Sequence, residues 1–379
     1  MTSELSSLCS YAKGKVSVDT LSKRNYVSTE NMMPNKGGIV DAGALPSAQY
    51  TQQYIKDDIL VSNIRPYFKK IWMADDDGGC SNDVLVFRAD RGCDSTFLYY
   101  ILANDAFFNY ASATSKGTKM PRGDKTAIMQ YKVPCFNYET QLRIGKLLRS
   151  IDDRIAVNKK INDNLYEMVN AYYTSLFKES DCEMTTVGNY AERIYSGGTP
   201  MTSNAAYWNG TFGWFSSGET RNRFVISTEK TITQAGIDNS STKLATKYDI
   251  VMASAGQGFT RGQTSMLLID TYVNQSVIVI KSEKNILPYL FWNLANRYDE
   301  LRAISDSSSI RGSLTTKMIA AFEIPLANEQ SLQAFADFAW SVIPQIENNL
   351  LENERLTALR DSLLPKLMSG EIDVSDIQL

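Results

Sequence analysis

The chain contains no histidine in 379 residues. That absence removes Ser-His-Asp and Cys-His catalysis, histidine general bases and the commonest metal ligand together. Cysteine is scarce: Cys9, Cys80, Cys93, Cys135 and Cys182 are odd in number, scattered and without a C-x-x-C pair. Such usage argues against a disulfide framework or a zinc site and fits a reducing compartment. No apolar run approaches the roughly 20 residues of a membrane helix. The N-terminus, MTSELSSLCSYAKGK, lacks the basic-then-apolar order of a signal peptide. A cytoplasmic protein with no membrane partner is expected. Net charge is also small, −3, which at face value disfavours nucleic acid. However, residues 329–379 hold nine acids against Arg355, Arg360 and Lys366, so the remainder is net basic. A nucleic acid meets local charge, not the total.

What the chain does have is an internal repeat. YIKDDILVSN (54–63) resembles ATKYDIVMAS (245–254), placing Asp249 191 residues after Asp58. FLYYIL (97–102) resembles YLFWNL (289–294), and KVPCFNYETQ (132–141) resembles EIPLANEQS (323–331) at nearly the same spacing. SYAK (10–13) is similarly paired with NYAE (189–192) at the start of each copy. Ordered matches, the first three at nearly one spacing, predict two copies of one plan, in keeping with a length that exceeds one core.

Each copy ends in a heptad pattern. One seam runs Ile151, Ile155, Asn158, Asn162, Leu165, Val169, Tyr172, Leu176, and the other Val342, Ile346, Asn349, Asn353, Leu356, Arg360, Leu363, Leu367. Two asparagines stand at the same two seam positions in both. A buried seam asparagine fixes register, because its amide is satisfied only opposite another polar group. The helices are therefore expected to meet each other along this seam; the alternative is two independent amphipathic helices, each packed on its own domain. Pro344 predicts a kink or restart, with a short helix Gln330–Val342 ahead of it, as Glu139–Ser150 would precede the other long helix. Runs such as DILVSNI, VLVFRA, DIVMASA and VNQSVIVIKS, punctuated by Gly, Asn and Ser, read as strands. The predicted fold is α+β: strand-rich domains at 1–138 and 179–327, with helical regions at 139–178 and 328–371.

Basic residues interleaved with aromatics carry the chemistry. SNIRPYFKKIW (62–72) supplies Arg65, Tyr67, Lys69 and Lys70, and TSKGTKMPRGDKT (114–126) supplies Lys116, Thr118, Lys119, Arg122 and Lys125. Such loops can set cations on phosphates and aim Arg or Lys at guanine edges, although a single basic loop is more often plain solvated surface. The second copy uses other polar residues at corresponding points: Thr199, Trp208, Trp214, Ser217, Arg221, Arg223, Gln257, Thr260, Arg261, Ser309 and Arg311. A repeated framework with divergent loops is the pattern of two sites that read different things. GQGFTRG matches neither dinucleotide nor phosphate-loop spacing. Asp75, Asp76 and Asp77 read as a solvated turn, so no metal site is expected.

Over nearly its whole length the chain resembles the specificity subunits of type I restriction-modification systems. The resemblance rests on YVSTENM (26–32), DDILVSNIRPYFKKIW (57–72), GGCSNDVLVF (78–87), SKGTKMPRGDK (115–125), SGGTP (196–200), VNQSVIVI (273–280) and two similar helix entrances, PCFNYET (134–140) and PLANEQ (325–330). It implies a non-catalytic protein with two target-recognition domains, each reading half of a split double-stranded DNA sequence. Its two long helices would pair as an antiparallel coiled coil, act as a spacer ruler and dock two methyltransferase subunits, with motor-nuclease subunits in the full complex. S-adenosylmethionine, ATP and magnesium would belong to those partners, and none to this chain.

Two rivals remain at this stage. A self-contained DNA methyltransferase would need an adenosylmethionine glycine loop and an N-P-P-Y-like segment, and neither is found. A coiled-coil scaffold whose globular domains bind proteins would not need the basic, aromatic loops.

Overall fold

The computed structural model describes residues 2–177, 183–256, 259–307 and 312–375. The chain divides into two compact units, Met1–Ile155 with Arg355–Leu379, and Ala156–Glu354. Both boundaries fall inside long helices, Tyr138–Leu176 and Glu329–Ser369. Each helix gives its two ends to different cores: Ile144, Leu148, Leu364 and Leu367 belong to one, and Tyr166, Val169, Phe335, Val342 and Ile346 to the other. Among the described residues, no helix is long and apolar enough to cross a membrane.

In the first unit, the fully buried strand Ile59–Ser62 lies between Val84–Ala89 and Ile71–Met73 in a four-stranded sheet completed by Cys9–Tyr11. The run is apolar on both faces because both are covered. Ile59 and Val61 face the helices Ser95–Ala103 and Asp105–Ala113 through Phe97 and Phe107, whereas Leu60 packs with Val27, Tyr54 and Val86. A second sheet, Lys15–Ser17, Tyr50–Tyr54, Gly78–Cys80 and Tyr26–Val27, adds a parallel pair at its end.

The second unit repeats this plan. Ile250–Ala253 lies between Val277–Ser282 and Thr264–Leu267, with Ala191–Ser196 beyond. Ile250 and Met252 face one core and Val251 the other. Its second sheet again contains a parallel pair, Trp208–Phe215 with Thr271–Val273. There the extra strand, Lys230–Ile232, lies beside the parallel pair rather than at the far edge.

The matched Asp58 and Asp249 explain why this framework repeats. Asp58 accepts the Ile55 N–H at 2.9 Å and two guanidinium bonds from Arg88, at 2.8 and 2.6 Å. Asp249 accepts the Thr246 N–H at 2.7 Å and lies 3.3 Å from the Lys281 ammonium. Each closes a turn whose preceding residue is left-handed, Asp57 at φ 68° and Tyr248 at φ 77°. The pairing of SYAK with NYAE is corrected. The strand pairs Thr2↔Pro134 and Met184↔Pro325 are equivalent, so Cys9 corresponds to Ala191 and Tyr11 does not correspond to Tyr190.

Asparagines cap both long helices: Asn137 accepts from Thr140 N–H and Asn328 from Ser331 N–H, each at 2.8 Å. The expected short helices Glu139–Ser150 and Gln330–Val342 do not occur as separate elements, because both long helices run unbroken and the second passes through Pro344 and Pro365. Proline removes one ladder bond and frees the carbonyl four residues earlier. Here both prolines are exposed, while buried Val342, Ile343 and Ile346 carry the apolar stripe past Pro344. The C-terminal helix stops where Gly370, at φ 76°, lets Glu371 N–H reach Lys366 O at 3.0 Å.

Within the second unit the helices meet antiparallel, and the seam asparagines face each other. Asn158 Nδ2 donates to Asn353 Oδ1 at 3.0 Å and to Glu352 Oε2 at 2.8 Å, and Asn349 Nδ2 donates to Asn162 Oδ1 at 2.8 Å. In the first unit the odd seam residue, Arg360, pairs with Asp152 at 2.7 Å. Asp152 also accepts from the Tyr100 hydroxyl at 2.6 Å, and burial, followed by this carboxylate, pushes that phenol well above its ordinary pKa.

Candidate nucleic-acid interface

In the first unit, the two basic segments are far apart in sequence and joined in space. Arg65 N–H donates to Pro121 O at 2.8 Å, and Gly123 N–H to Asn63 O at 3.1 Å. Lys116 and Arg122 exchange two backbone bonds at 2.9 Å, closing the second loop on itself. Gly123 is required at this crossing, since a Cβ there would lie 2.8 Å from both Asn63 Oδ1 and Ile128 Cδ1. Arg65 and Lys69 adopt left-handed φ of 50° and 52° around the short turn Pro66–Phe68. Non-glycine residues hold that conformation only where their surroundings impose it.

The cations of this edge are not equally available. Lys69, with Lys36, is tied to Asp105, and hydrogen bonds from the two ammoniums hold that carboxyl below its ordinary pKa. Lys70 donates to Thr29 O at 2.6 Å, and burial lowers its pKa. Lys116 pairs with Asp124 and Arg122 with Asp83, yet both remain largely exposed. Lys125 lies 6.0 Å from the Tyr11 ring. Thr118 and Lys119 are exposed at the tip of the second loop, and Arg65 Nη2 lies 3.5 Å from Lys119 O. Tyr67 is 51% exposed with Phe68 beside it, their rings 4.8 Å apart. The edge thus presents aromatics, a hydroxyl and several cations around one backbone crossing.

In the second unit, the equivalent crossing is made by Leu314 N–H to Ser254 O at 2.9 Å. The predicted residues distribute differently. Trp214 is 5% exposed and donates its indole N–H to Gly198 O at 3.3 Å, so it holds the SGGTP loop instead of facing solvent. Trp208 packs edge-on against it, ring centroids 5.0 Å apart, and Thr199 is bonded to Gln275. Arg261 has a side chain only 12% exposed and is clamped to Gly312 O and Asp306, so it anchors its loop and is not free to read a base. Thr260 fastens the same loop by accepting from Gln263 N–H at 2.9 Å.

Arg221 pairs with Glu229 and bonds Gly218 O, on the helical turn that begins at Ser217. Arg223 stacks 4.1 Å from the Tyr166 ring. With Asn296 and Tyr298, these two arginines line an open cleft of about 290 Å³. Gln257, Ser309 and Arg311 lie outside the described residues.

Sequence reasoning passed over Phe259, which is 83% exposed. Its signal was present in GQGFTRG, an aromatic in a polar, glycine-punctuated loop. Among the described residues, no group of His, Cys, Asp and Glu is arranged to hold a metal ion.

Comparison with known proteins agrees with this architecture. Residues 1–167 and 179–354 each match the family described as type I restriction modification DNA specificity domain. The chain is 28% identical over 216 residues to the specificity subunit of the Escherichia coli type I restriction enzyme EcoR124I/EcoR124II, an alignment spanning 54% of this chain and 53% of that protein. It thus spans about half the length of that relative. With the HindI specificity subunit of Haemophilus influenzae it is 21% identical over 92% of this chain and 94% of the other. A crystal structure of the S subunit of a type I restriction-modification system from M. genitalium has the same fold, with TM-score 0.63 and 17% identity over 97% of this chain and 96% of that one.

Proposed function

The chain belongs to the type I restriction-modification DNA specificity family, and from that premise we propose that it reads a two-part duplex target, one half per copy. The recognition domains in this reading are residues 1–138 and 179–327. The observation that carries it is the joining of two basic loops, one of them aromatic, at one edge of the first unit, with an equivalent crossing in the second. Exposed Lys119, Lys116 and Arg122 suit phosphates, and Thr118 and Tyr67 suit base edges. The two long helices, by continuing from one recognition domain toward the next, would set the unread spacer. Their outward polar faces would carry two methyltransferase subunits, which motor-nuclease subunits join in the full complex. S-adenosylmethionine, ATP and magnesium would sit on those partners, and this chain contributes no catalytic group.

The test is duplex binding by the chain assembled with its methyltransferase subunits, across a salt series. Affinity should fall steeply between about 50 and 200 mM salt, and Lys119→Ala should reduce the logarithmic slope by about 0.9 without changing sequence preference. A salt-independent affinity, or an unchanged slope in the variant, would count against the assignment of this edge.

A further inference from the structure

Among the described residues, Phe259 is the most exposed of the large hydrophobic side chains, at 83%. A single exposed apolar residue is ordinary on a protein surface; its setting here is not. It lies in the loop joining strands Ile250–Ala253 and Thr264–Leu267. The corresponding loop of the first unit, between Ile59–Ser62 and Ile71–Met73, carries exposed Tyr67 and Phe68. The loops are closed by equivalent backbone bonds, Ser62 N–H to Lys70 O at 3.1 Å and Ala253 N–H to Gln263 O at 3.0 Å. Their residues otherwise differ, SNIRPYFKKIW against SAGQGFTRGQT. Thus two divergent loops at one place in the fold each keep an outward aromatic.

Both tips are braced. The Tyr298 hydroxyl donates to Phe259 O at 2.8 Å, and the Arg261 clamp holds the loop two residues later. In the first unit, Tyr67 and Phe68 are fixed between left-handed Arg65 and Lys69. A loop whose backbone is already held loses less freedom when its exposed ring meets a flat partner. Nucleic-acid bases are flat partners, and apolar or aromatic side chains at a cationic edge enter DNA by wedging between base steps.

We propose that Phe259, and Tyr67 with Phe68 in the first unit, are wedges that stack on bases and open the base step they touch within each half-site. This rests on the DNA-reading function proposed above. It adds that part of the specificity comes from how easily a given step is opened, which a purely polar contact would not sense.

The experiment uses the full chain assembled with its methyltransferase subunits, and duplexes carrying the motif mapped by methylation-site sequencing. 2-Aminopurine is placed at successive positions through each half-site. Wild type should brighten the probe at one step in the half-site read by the second copy. Phe259→Ala should abolish that signal and weaken binding by on the order of 5- to 150-fold, whereas Phe259→Trp should retain both. Thermal unfolding of Phe259→Ala should match wild type, since the side chain is exposed. Unchanged affinity and probe signal in Phe259→Ala would overturn the proposal. So would intact DNA binding with loss of the methyltransferase subunits on size exclusion, which would make the ring a protein contact. If wild type itself fails to prefer the mapped duplex over a scrambled one, the DNA-reading function is at fault, independently of Phe259.

Discussion

Replacing Asn158 with leucine tests how the helix pair is specified. Asn158 is 0% exposed, and its amide donates to Asn353 and Glu352. Among the described residues, its Oδ1 and the Nδ2 of Asn353 have no partner, so the pair is only half satisfied. Asn158→Leu removes both bonds and leaves Asn353 Oδ1 buried without its donor, a loss of about 1–3 kcal/mol. Adding Asn353→Leu removes the orphan together with the two atoms already unpaired and lays leucine against leucine. The double variant should therefore be as stable as wild type or more so, giving a coupling of about 2 kcal/mol in the range typical of contacting residues. Hydrogen exchange of amides in residues 156–176 and 329–354 is the suitable assay, because a chain of two units need not unfold in one step. A single variant within about 0.5 kcal/mol of wild type and no coupling would refute the reasoning. Asn158→Leu with Asn162→Leu is a poorer test of register, since it orphans Asn349 and Asn353 together. Register is better tested with all four asparagines made leucine: cysteine cross-linking should then report more than one alignment, and a single native alignment would show that the amides do not set it.

Three further outcomes follow from particular contacts. Four residues inserted after Lys160, with four more after Leu351, keep both asparagine pairs matched and lengthen each helix by about 6 Å. Methylation-site sequencing should then show the unread spacer longer by about 2 base pairs, and an unchanged spacer would end the ruler idea. Gly123→Ala forces a methyl against Asn63 and Ile128. It should cost about 1–3 kcal/mol locally and impair reading of the first half-site alone; equal impairment of both halves would contradict that. Asp105 has its carboxyl pKa lowered by Lys69 and Lys36. Its contribution is therefore present above the ordinary carboxylate pKa of about 3.9 and fades as pH falls through the depressed folded value. Asp105→Asn should lower stability at neutral pH by less than about 1 kcal/mol, since the pair is half exposed, and the difference, read by thermal unfolding, should vanish in strong acid. A pH-independent difference would contradict the ion pairing.

Much of the framework could be read directly from sequence, because its causes are local or periodic. The all-apolar runs around Asp58 and Asp249 became central buried strands, and the matched seam asparagines became facing pairs. The surface was harder to read, because a cation's availability depends on partners distant in sequence. Lys69 meets Asp105 and Arg261 meets Asp306, contacts that no short motif encodes. Trp214 looked like a reading residue by composition and is buried by its packing on Trp208. Pro344 looked like a break, but flanking burial maintained the helix. Phe259 was missed because attention to polar groups overlooked an aromatic whose meaning depends on exposure.

The central claim is that this chain selects the DNA sequence its partners modify, and methylome comparison with and without the chain tests it most directly. Loss of the chain should erase one bipartite methylation motif, and restoring it with residues 1–138 replaced by the corresponding domain of another family member should change only one half of that motif. Persistence of every motif without the chain would contradict the account.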